Sequence, residues 1–339
     1  MSFIAQPLAL RNSLAVNATA RRWRDWVDCG QLSTLHRQYA GAPILAYGEG
    51  TNLLLAADPE ELCLHSLDQS IKYRSEGDSL LLETAAGVNW NWLVRHCLAN
   101  GWWGLENLIS IPGSCGAAPV QNIGAYGAEL VDNCVWVECF DWRSGELMRL
   151  EANDCAFGYR NSLFKKERQL VITRLALRLT TNRTQWREMQ QARMAHTSLA
   201  GLDEQVREQP RLLAAAIANL RARKLPDFHD TPNAGSFFHN PVVDYAAHGD
   251  LIAKLAAHSA AWRLDNDRAR LSAAWLIDAT LGKGYRRGVC ALSRKHALCV
   301  VNEHGASGAQ LLEFADHIRE RVFERFGVNL EIEPRVVGC

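Results

Sequence analysis

Apolar and polar residues alternate in the first half of the chain in a way that is typical of β-strands. Apolar runs at 44–47 and 53–56 flank the turn GEGTN, and Asp58-Pro59 ends the second run. The Gly77-Asp78 pair between IKYRS and LLLET predicts a hairpin. Strands are also expected within residues 62–85, 135–140 and 169–179. This half of the chain is therefore predicted to be rich in β-structure.

Four segments carry apolar residues at helical spacing. They are residues 87–100, 212–224, 271–281 and 307–326. Ser307 and Gln310 have the spacing of a capping box, and Gly327 is a stop signal for the last helix. The predicted core positions are Trp92, Leu93, His96 and Cys97 in the first helix, and Leu311, Leu312, Ala315, Ile318, Val322, Phe323 and Phe326 in the last.

Two stretches interrupt this pattern. Residues 180–211 are polar, which predicts a domain boundary there and a separate α+β part after it. Residues 104–127 are rich in Gly, Pro, Ser and Asn but keep interleaved Leu, Ile and Val. A loop of this length inside a compact domain is usually functional or disordered, and the apolar residues argue against disorder. We therefore expect a functional loop at 104–127.

Charge and composition exclude several classes of function. Lys+Arg and Asp+Glu both number 37, so no overall field draws the chain to nucleic acid or anionic lipid. No apolar run approaches the roughly 18 residues of a membrane span. The ten cysteines include no CxxC pair and no histidine at zinc spacing, so we expect no metal site and reduced, mostly buried thiols, with Cys339 exposed. The first ten residues lack the features of a signal peptide, and a cytoplasmic protein is expected.

The two glycine-rich stretches indicate nucleotide binding. Glycine permits a positive φ and a close approach of the backbone to a ligand, and consecutive N–H groups form an anion nest. GEGTN lacks the third glycine and the following helix of a Rossmann turn. Binding of a pyrophosphate by backbone amides is favoured over a purely structural loop, and these stretches alone leave both open.

The motifs become specific when they are taken in order along the chain. They are Asn12-Ser13, GEGTNLLL (48–55), LENLISIPGSCGAAPVQNIGAYGAEL (105–130), FGYRNSLFK (157–165), KLPDFHDTPNAGSFFHNPVV (224–243), AAWLID (273–278), HALCVVNE (296–303) and LEIEPRVVG (330–338). This series resembles the UDP-N-acetylenolpyruvoylglucosamine reductases, the MurB family of peptidoglycan synthesis. The resemblance covers nearly the whole chain.

The resemblance implies both a fold and a reaction. The implied fold class is α+β, with a two-subdomain FAD-binding fold of the vanillyl-alcohol-oxidase/PCMH type and a C-terminal α+β substrate-binding domain. The implied domains are 1–65, 66–210 and 211–339, and the last strand returns to the active site. The implied reaction is the reduction of UDP-N-acetylglucosamine enolpyruvate to UDP-N-acetylmuramate, with NADPH as the reductant and FAD as the hydride carrier.

The resemblance also implies roles for particular residues. The implied FAD site consists of Gly48, Gly50, Thr51, Asn52, Pro112, Gly113, Ser114, Gly116, Gln121, Asn122, Gly124 and Ala125. Arg160 would engage the enolpyruvyl carboxylate, for which a charged, forked guanidinium is suited. Ser236 would supply a proton to the α-carbon, and Glu333 would polarise the intermediate or carry the proton for Ser236. The implied ligands of the uridine diphosphate are Lys224, Asn240 and His296, to which Arg221 and Arg223 could add charge.

The chain departs from the family pattern at several positions. Cys115 and Ala117 stand where a valine and a glycine are usual, and Pro334 stands where a β-branched residue is usual. The longer-loop branch of the family has a tyrosine that folds over the substrate, whereas residues 184–204 contain no tyrosine. Either another residue closes the site or the substrate is held more weakly.

Two other functions stay open on the sequence alone. One is a different FAD-linked oxidoreductase of the same fold that acts on an alcohol or a hydroxy acid. The other is a degenerate flavin-binding protein with a sensing or scaffold role. Neither alternative requires Arg160, Ser236 and Glu333 in these contexts, so the reductase is preferred. A monomer whose ligand is a UDP-linked amino sugar is expected, with no nucleic-acid or membrane partner.

Overall fold

The structure is a computed structural model that describes residues 4–194 and 198–338. Contacts between Cα atoms divide the chain into two compact units. The first unit contains the described residues of 4–5, 20–49 and 60–221. The second contains those of 6–19, 50–59 and 222–338. Cys339, for which exposure was predicted, lies outside the described residues, and the domain boundaries implied by the resemblance stay predictions.

The strands and helices of the described residues are as follows. The strands are β1 (Ile4–Pro7), β2 (Thr19–Trp26), β3 (Ile44–Tyr47), β4 (Leu53–Leu55), β5 (Leu62–Ser66), β6 (Ile71–Glu76), β7 (Ser79–Ala85), β8 (Gly124–Ala125), β9 (Ala128–Glu129), β10 (Cys134–Asp141), β11 (Glu146–Glu151), β12 (Leu170–Thr180), β13 (Val242–Asp244), β14 (Ala261–Arg263), β15 (Arg268–Leu271), β16 (Arg286–Arg287), β17 (Cys290–Leu292), β18 (Val300–Val301) and β19 (Arg335–Val337). The helices are α1 (Cys29–Gln38), α2 (Trp90–Ala99), α3 (Leu163–Lys166), α4 (Arg183–Met194), α5 (Glu204–Arg207), α6 (Pro210–Lys224), α7 (Tyr245–Ala256), α8 (Ala273–Thr280) and α9 (Gly308–Phe326).

The first unit is built on two larger sheets. One has the order β1-β2-β5-β3, in which β5 runs parallel to both β2 and β3. The other has the order β11-β10-β12-β7-β6, and each neighbouring pair in it is antiparallel. The β6–β7 hairpin confirms the turn predicted at Gly77-Asp78, where Gly77 has a φ of +64° that suits glycine.

Helix α2 covers the second of these sheets with an apolar face. Asn89 caps the helix by accepting the N–H of Trp92. The buried face consists of Trp90, Leu93, Val94, Cys97 and Leu98. The helix is confirmed, but the predicted core position of Trp92 is wrong because this side chain is 48% exposed and stacks on His96. Spacings of three and four residues from Trp90 define the buried stripe, and Trp92 lies outside it.

The polar stretch after Thr180 belongs to the first unit as far as Arg221. Its helix α4 is anchored to the start of the loop at 104–127. Arg193 donates to the carbonyl of Gly104 at 2.9 Å, and Gln190 donates to the buried carboxyl of Glu106 at 3.4 Å. Burial raises the pKa of Glu106 above its ordinary value. A segment that is polar in composition therefore packs as ordered structure in this unit.

The second unit combines small sheets with helices α7, α8 and α9. Its sheets have the orders β13-β15-β14, β16-β17-β18 and β19-β4, the last of which is a parallel pair. Ser307 and Gln310 form the predicted capping box at the start of α9, and Gly327 ends the helix with a φ of +67°. Leu311, Ala315, Ile318 and Val322 are buried as predicted.

The predicted core position of Phe323 is wrong, because the ring is 51% exposed. Phe323 directly follows the buried Val322 in α9. Consecutive residues of a helix lie about 100° apart, so Phe323 projects away from the buried stripe. Helical spacing alone made the predicted buried stripe one residue too wide at this point.

The nine described cysteines are free thiols, and all of them except the half-buried Cys29 are buried. Burial raises the pKa of Cys115, Cys134, Cys139 and Cys155 to about 12. These thiols are therefore protonated at neutral pH and pack as small apolar groups. Among the helices that the structure describes, none has the length and apolar character needed to cross a membrane.

Candidate active site

A cleft in the first unit is lined by the predicted cofactor loop. It encloses about 630 Å³ of empty space, including the part that is open to solvent. Gly48, Ser114 and Gly116 from the two glycine-rich stretches line it together with Trp26, Tyr47 and Ile172. Mostly apolar walls with a few polar groups are typical of a ligand site.

Two glycines lie in closely packed parts of the wall of this cleft. A Cβ built on Gly48 would lie 2.8 Å from the Oγ of Ser114, and one built on Gly116 would lie 2.6 Å from the Cβ of Ala86. Such distances are shorter than ordinary van der Waals contacts, so neither position has room for a side chain without a shift of its neighbours. The predicted glycines are thus required by close packing at the wall of the cleft.

The backbone of the loop uses several of its own donors. The N–H groups of Cys115 and Gly116 donate to the carbonyls of Val88 and Ala86 at 2.8 and 2.9 Å. The next two N–H groups along the loop, those of residues 117 and 118, donate to carbonyls within the loop. These four donors are therefore not available to a pyrophosphate. The predicted anion nest must draw on other N–H groups of the glycine-rich stretches.

Asn122 organises the second half of the loop. It is buried, has a φ of +43°, and accepts the N–H of Val131 at 3.0 Å through its Oδ1. Its Nδ2 donates to Glu129 at 2.8 Å and to the carbonyl of Gly158 at 3.2 Å. The side chain thereby ties the loop to the FGYRNS segment. Asn122 was predicted as a cofactor residue, and the structure gives its side chain this positioning role.

Arg160 lies beside the end of that loop. Its Nη2 donates to the carbonyl of Gly124 at 2.6 Å, and a Cβ on Gly124 would lie 2.9 Å from its Nη1. Arg160 has a φ of +50°, a left-handed conformation that costs energy for a residue with a side chain. Strain of this kind is maintained where the surrounding structure fixes a functional side chain. The local geometry therefore supports Arg160 as a candidate anion ligand.

The remaining part of the GEGTN turn belongs to the second unit. Gly50 has a φ of +65°, and its carbonyl accepts the N–H of Ser13 at 3.1 Å. The Oγ of Ser13 donates to the carbonyl of Thr51 at 3.3 Å, and the N–H of Arg335 donates to the carbonyl of Asn52 at 3.0 Å. The last strand therefore lies beside this turn.

Ser236 follows a tight turn that a buried asparagine holds in place. Oδ1 of Asn233 accepts the N–H of Gly235 at 2.8 Å, and its Nδ2 donates to the carbonyls of Thr231 and Pro226 at 2.7 and 3.3 Å. Gly235 has a φ of +70°, so the turn requires glycine, and a Cβ there would meet no atom within 4 Å. Asn233 was not predicted, and the fixed turn is what positions Ser236.

Glu333 is placed on the segment beside that of Ser236. Its N–H donates to the carbonyl of Phe237 at 3.0 Å, and Phe238 forms an antiparallel bridge with Ile332. His239, which sequence reasoning missed, lies with its Nδ1 at 3.5 Å from Oε2 of Glu333. The fold thus brings the neighbours of Ser236 to Glu333 within the second unit. Convergence of Arg160 with this pair stays a prediction.

The three predicted ligands of the uridine diphosphate lie in the second unit. Nδ1 of His296 accepts the N–H of Leu298 at 3.2 Å, so the neutral ring carries its proton on Nε2. Burial, followed by the charges of Lys224 and Lys283, lowers the pKa of His296 to about 4, against an opposing effect of Asp278. At neutral pH the His296 ring is therefore neutral and can donate one hydrogen bond through Nε2.

Asn240 has a structural contact of its own. Its Oδ1 accepts the N–H of Ala273 at 3.0 Å, at the start of α8. This bond satisfies one of the free N–H groups at the N-terminus of the helix. The contact also fixes the amide plane of Asn240, which was predicted to bind the uridine diphosphate.

Comparisons with known proteins agree with the order of motifs. Residues 31–151 match a family model described as an FAD binding domain. Residues 227–337 match the model of the UDP-N-acetylenolpyruvoylglucosamine reductase, C-terminal domain. The reductase of that name from Xanthomonas euvesicatoria is 42% identical over 345 residues, which cover 98% of this chain and 95% of the relative. The reductase from Chromobacterium violaceum is 38% identical and covers 96% of each chain.

One solved structure resembles the whole chain. The crystal structure of UDP-N-acetylenolpyruvylglucosamine reductase (MurB) from Thermus caldophilus has a TM-score of 0.69 at 23% identity. The likeness covers 99% of this chain and 98% of that one. It confirms the predicted α+β fold class, in which an FAD-binding fold is joined to a C-terminal α+β domain.

Proposed function

The chain belongs to the UDP-N-acetylenolpyruvoylglucosamine reductase family, and on this premise we propose that it reduces UDP-N-acetylglucosamine enolpyruvate to UDP-N-acetylmuramate in peptidoglycan precursor synthesis. The observation that carries the proposal is the 42% identity to a reductase of this name over 98% of the chain. Neither alternative function explains identity over this length. The enzyme is an NADPH-dependent flavoprotein oxidoreductase.

The cleft of the first unit suits FAD. Its walls are mostly apolar with a few polar groups, and glycines at positions 48 and 116 let them pack closely, because a Cβ at either would collide with Ser114 or Ala86. When bound, FAD would accept a hydride from NADPH and deliver it to the β-carbon of the enolpyruvyl group. The residues proposed to hold it are Gly48, Gly50, Thr51, Asn52, Pro112, Gly113, Ser114, Gly116, Gln121, Asn122, Gly124 and Ala125.

Side chains of the protein are proposed to stabilise negative charge and to transfer the proton. Arg160 is proposed to bind the enolpyruvyl carboxylate, where negative charge grows as the β-carbon is reduced. A fixed guanidinium would then bind the transition state more strongly than the substrate. Ser236 is proposed to protonate the α-carbon, and Glu333 to stabilise the intermediate or return a proton to Ser236. The turn at Asn233 and Gly235 supports this role because the hydrogen bond between these two residues fixes the backbone next to Ser236.

The nucleotide part of the substrate is assigned to the second unit. Lys224 would supply charge to the diphosphate, His296 a neutral N–H donor, and Asn240 its amide. Residues 184–204 contain no tyrosine that could close over the diphosphate. These contacts would therefore carry more of the substrate binding. The protein is further proposed to act as a cytoplasmic monomer.

An anaerobic titration tests this function. The purified protein is expected to be yellow, and NADPH should bleach its flavin absorbance. Addition of UDP-N-acetylglucosamine enolpyruvate should restore the colour in proportion to the nucleotide added, and a simple hydroxy acid should not. Bleaching without reoxidation by the enolpyruvyl nucleotide would rule out this substrate.

A further inference from the structure

An imidazole lies next to the carboxyl group of Glu333. Nδ1 of His239 is 3.5 Å from Oε2 of Glu333, and the two side chains are only 15% and 10% exposed. At this distance and burial, the protonation of one group depends strongly on that of the other. We call these two residues the His239–Glu333 pair.

The backbone fixes the pair from both sides. The N–H of Glu333 donates to Phe237 at 3.0 Å, and the N–H of His239 donates to the carbonyl of Glu331 at 2.9 Å. Between these bonds, Phe238 and Ile332 form an antiparallel bridge. In such a bridge, residues that flank the central pair project to the same side of the ladder. The contact is therefore a product of strand register.

Other charged groups lie along the segments that carry the pair. Glu331 and Arg335 flank Glu333 along its own segment, and Glu331 is exposed to solvent. Residues 236–241 contain no charged side chain besides His239. The segment packed against Phe237, through the bond from its N–H to Leu298 at 2.9 Å, carries His296. Its depressed pKa keeps that ring neutral at neutral pH.

Building on the proposed function, we propose that His239 is a positioning residue that holds the proton Glu333 uses in the reduction of the enolpyruvyl group. In this role the imidazole carries the proton at rest, opposite the charged carboxylate. As negative charge develops on the substrate, the protonated carboxyl form becomes favoured, and the proton moves from Nδ1 of His239 to Oε2 of Glu333.

The proton balance is then complete for one turnover. The substrate gains a hydride at the β-carbon and a proton at the α-carbon, where the O–H bond of Ser236 breaks and a C–H bond forms. Glu333 returns a proton to the serine oxygen, and His239 takes one proton from solvent to restore the pair. No other bond is made or broken at His239. The reductant is the NADPH of the proposed function.

Two substitutions at position 239 distinguish this role from a structural one. His239→Gln removes the titrating group and keeps a polar side chain, so Glu333 alone must hold the proton. His239→Lys supplies a group that retains its proton to higher pH. The rate of flavin reoxidation by the enolpyruvyl nucleotide should fall at alkaline pH in each protein. The midpoint of the fall should come lowest in His239→Gln, intermediate in the natural protein and highest in His239→Lys, with shifts of about one pH unit or more.

The measurement is stopped-flow reoxidation of the NADPH-reduced protein from about pH 6 to about pH 10. Reduction by NADPH and the thermal midpoint serve as controls in each variant, and both should stay close to those of the natural protein. Identical pH profiles in the three proteins, or a reversed order, would overturn the role of His239. A natural protein that NADPH reduces but the enolpyruvyl nucleotide does not reoxidise would instead contradict the proposed function.

Discussion

Gly116 is predicted to accept a side chain only at a cost in stability. Its N–H donates to the carbonyl of Ala86 at 2.9 Å, and a Cβ on Gly116 would lie 2.6 Å from the Cβ and 3.1 Å from the Cα of Ala86. The φ of Gly116 lies outside the positive range that only glycine favours. The lack of space alone therefore disfavours alanine, and Gly116→Ala isolates that effect.

The size of the effect follows from the overlap. Carbon atoms in contact are about 3.5–4.0 Å apart, so the new methyl group requires a shift of roughly 1 Å. Overpacking of this kind typically costs about 1–3 kcal/mol. For a folding unit of about 200 residues, each kcal/mol lowers the melting temperature by roughly 2–4 °C. Gly116→Ala should thus lower the midpoint by a few degrees and reduce FAD retention.

Thermal unfolding with a matched control checks this reasoning. Gly158→Ala is the control, because a Cβ there meets no atom within 4 Å and its φ is not positive. It should leave the midpoint unchanged or raise it slightly, since alanine restricts the unfolded chain. Adding Ala86→Gly to Gly116→Ala should recover part of the loss. A Gly116→Ala protein as stable as the control, or no recovery in the double variant, would refute the packing argument.

Three further predictions concern other parts of the site. The pKa of His296 is about 4 in the folded protein and about 6.5 in the unfolded chain, so the unfolded chain binds more protons between these pH values. As the pH falls through this window, His296→Gln should therefore become more stable than the natural protein, by at most about 3 kcal/mol. Thermal scans at several pH values would detect this difference. An equal difference at all pH values would contradict the shift. Arg160→Lys keeps the charge but loses the forked guanidinium, whose Nη2 bonds the carbonyl of Gly124. Reoxidation by substrate should therefore slow roughly 10- to 100-fold with NADPH reduction unchanged, and a similar loss in both half-reactions would contradict the assignment. Asn233→Ala should lower the free energy of unfolding in urea by about 1–3 kcal/mol because it leaves partly buried backbone groups unpaired, and an unchanged midpoint would contradict its role.

Local sequence signals predicted the regular elements well. The capping box of Ser307 and Gln310 and the stop at Gly327 fixed the limits of α9 to within one residue. These signals act over three or four residues, so the sequence carries them directly. The same periodicity misplaced Trp92 and Phe323, because the width of a buried stripe is decided by the partner that covers it. Helices α1, α4 and α7 were not predicted, since their apolar faces are weak or interrupted.

The contacts that position the site were harder to predict. The family resemblance supplied Ser236 and Glu333, whereas Asn233 and His239 in the same motif gave no signal of their own. Their roles depend on contacts with residues far along the chain, such as the bond from Asn233 N–H to Ser13 and the approach of His239 to Glu333. Strain at Arg160 is likewise a property of the folded backbone. Strand register and turn geometry, which create these contacts, are not local properties of a sequence.

Ser236→Ala tests most directly the claim that Ser236 delivers the proton to the substrate but takes no part in hydride transfer from NADPH. Rapid-mixing absorbance would follow reduction of the flavin by NADPH and, separately, its reoxidation by UDP-N-acetylglucosamine enolpyruvate. Reduction should proceed at the natural rate, whereas reoxidation should slow by roughly 10²- to 10⁴-fold, because the α-carbon loses its proton donor. Reoxidation at the natural rate, or equal loss of both half-reactions, would contradict the account.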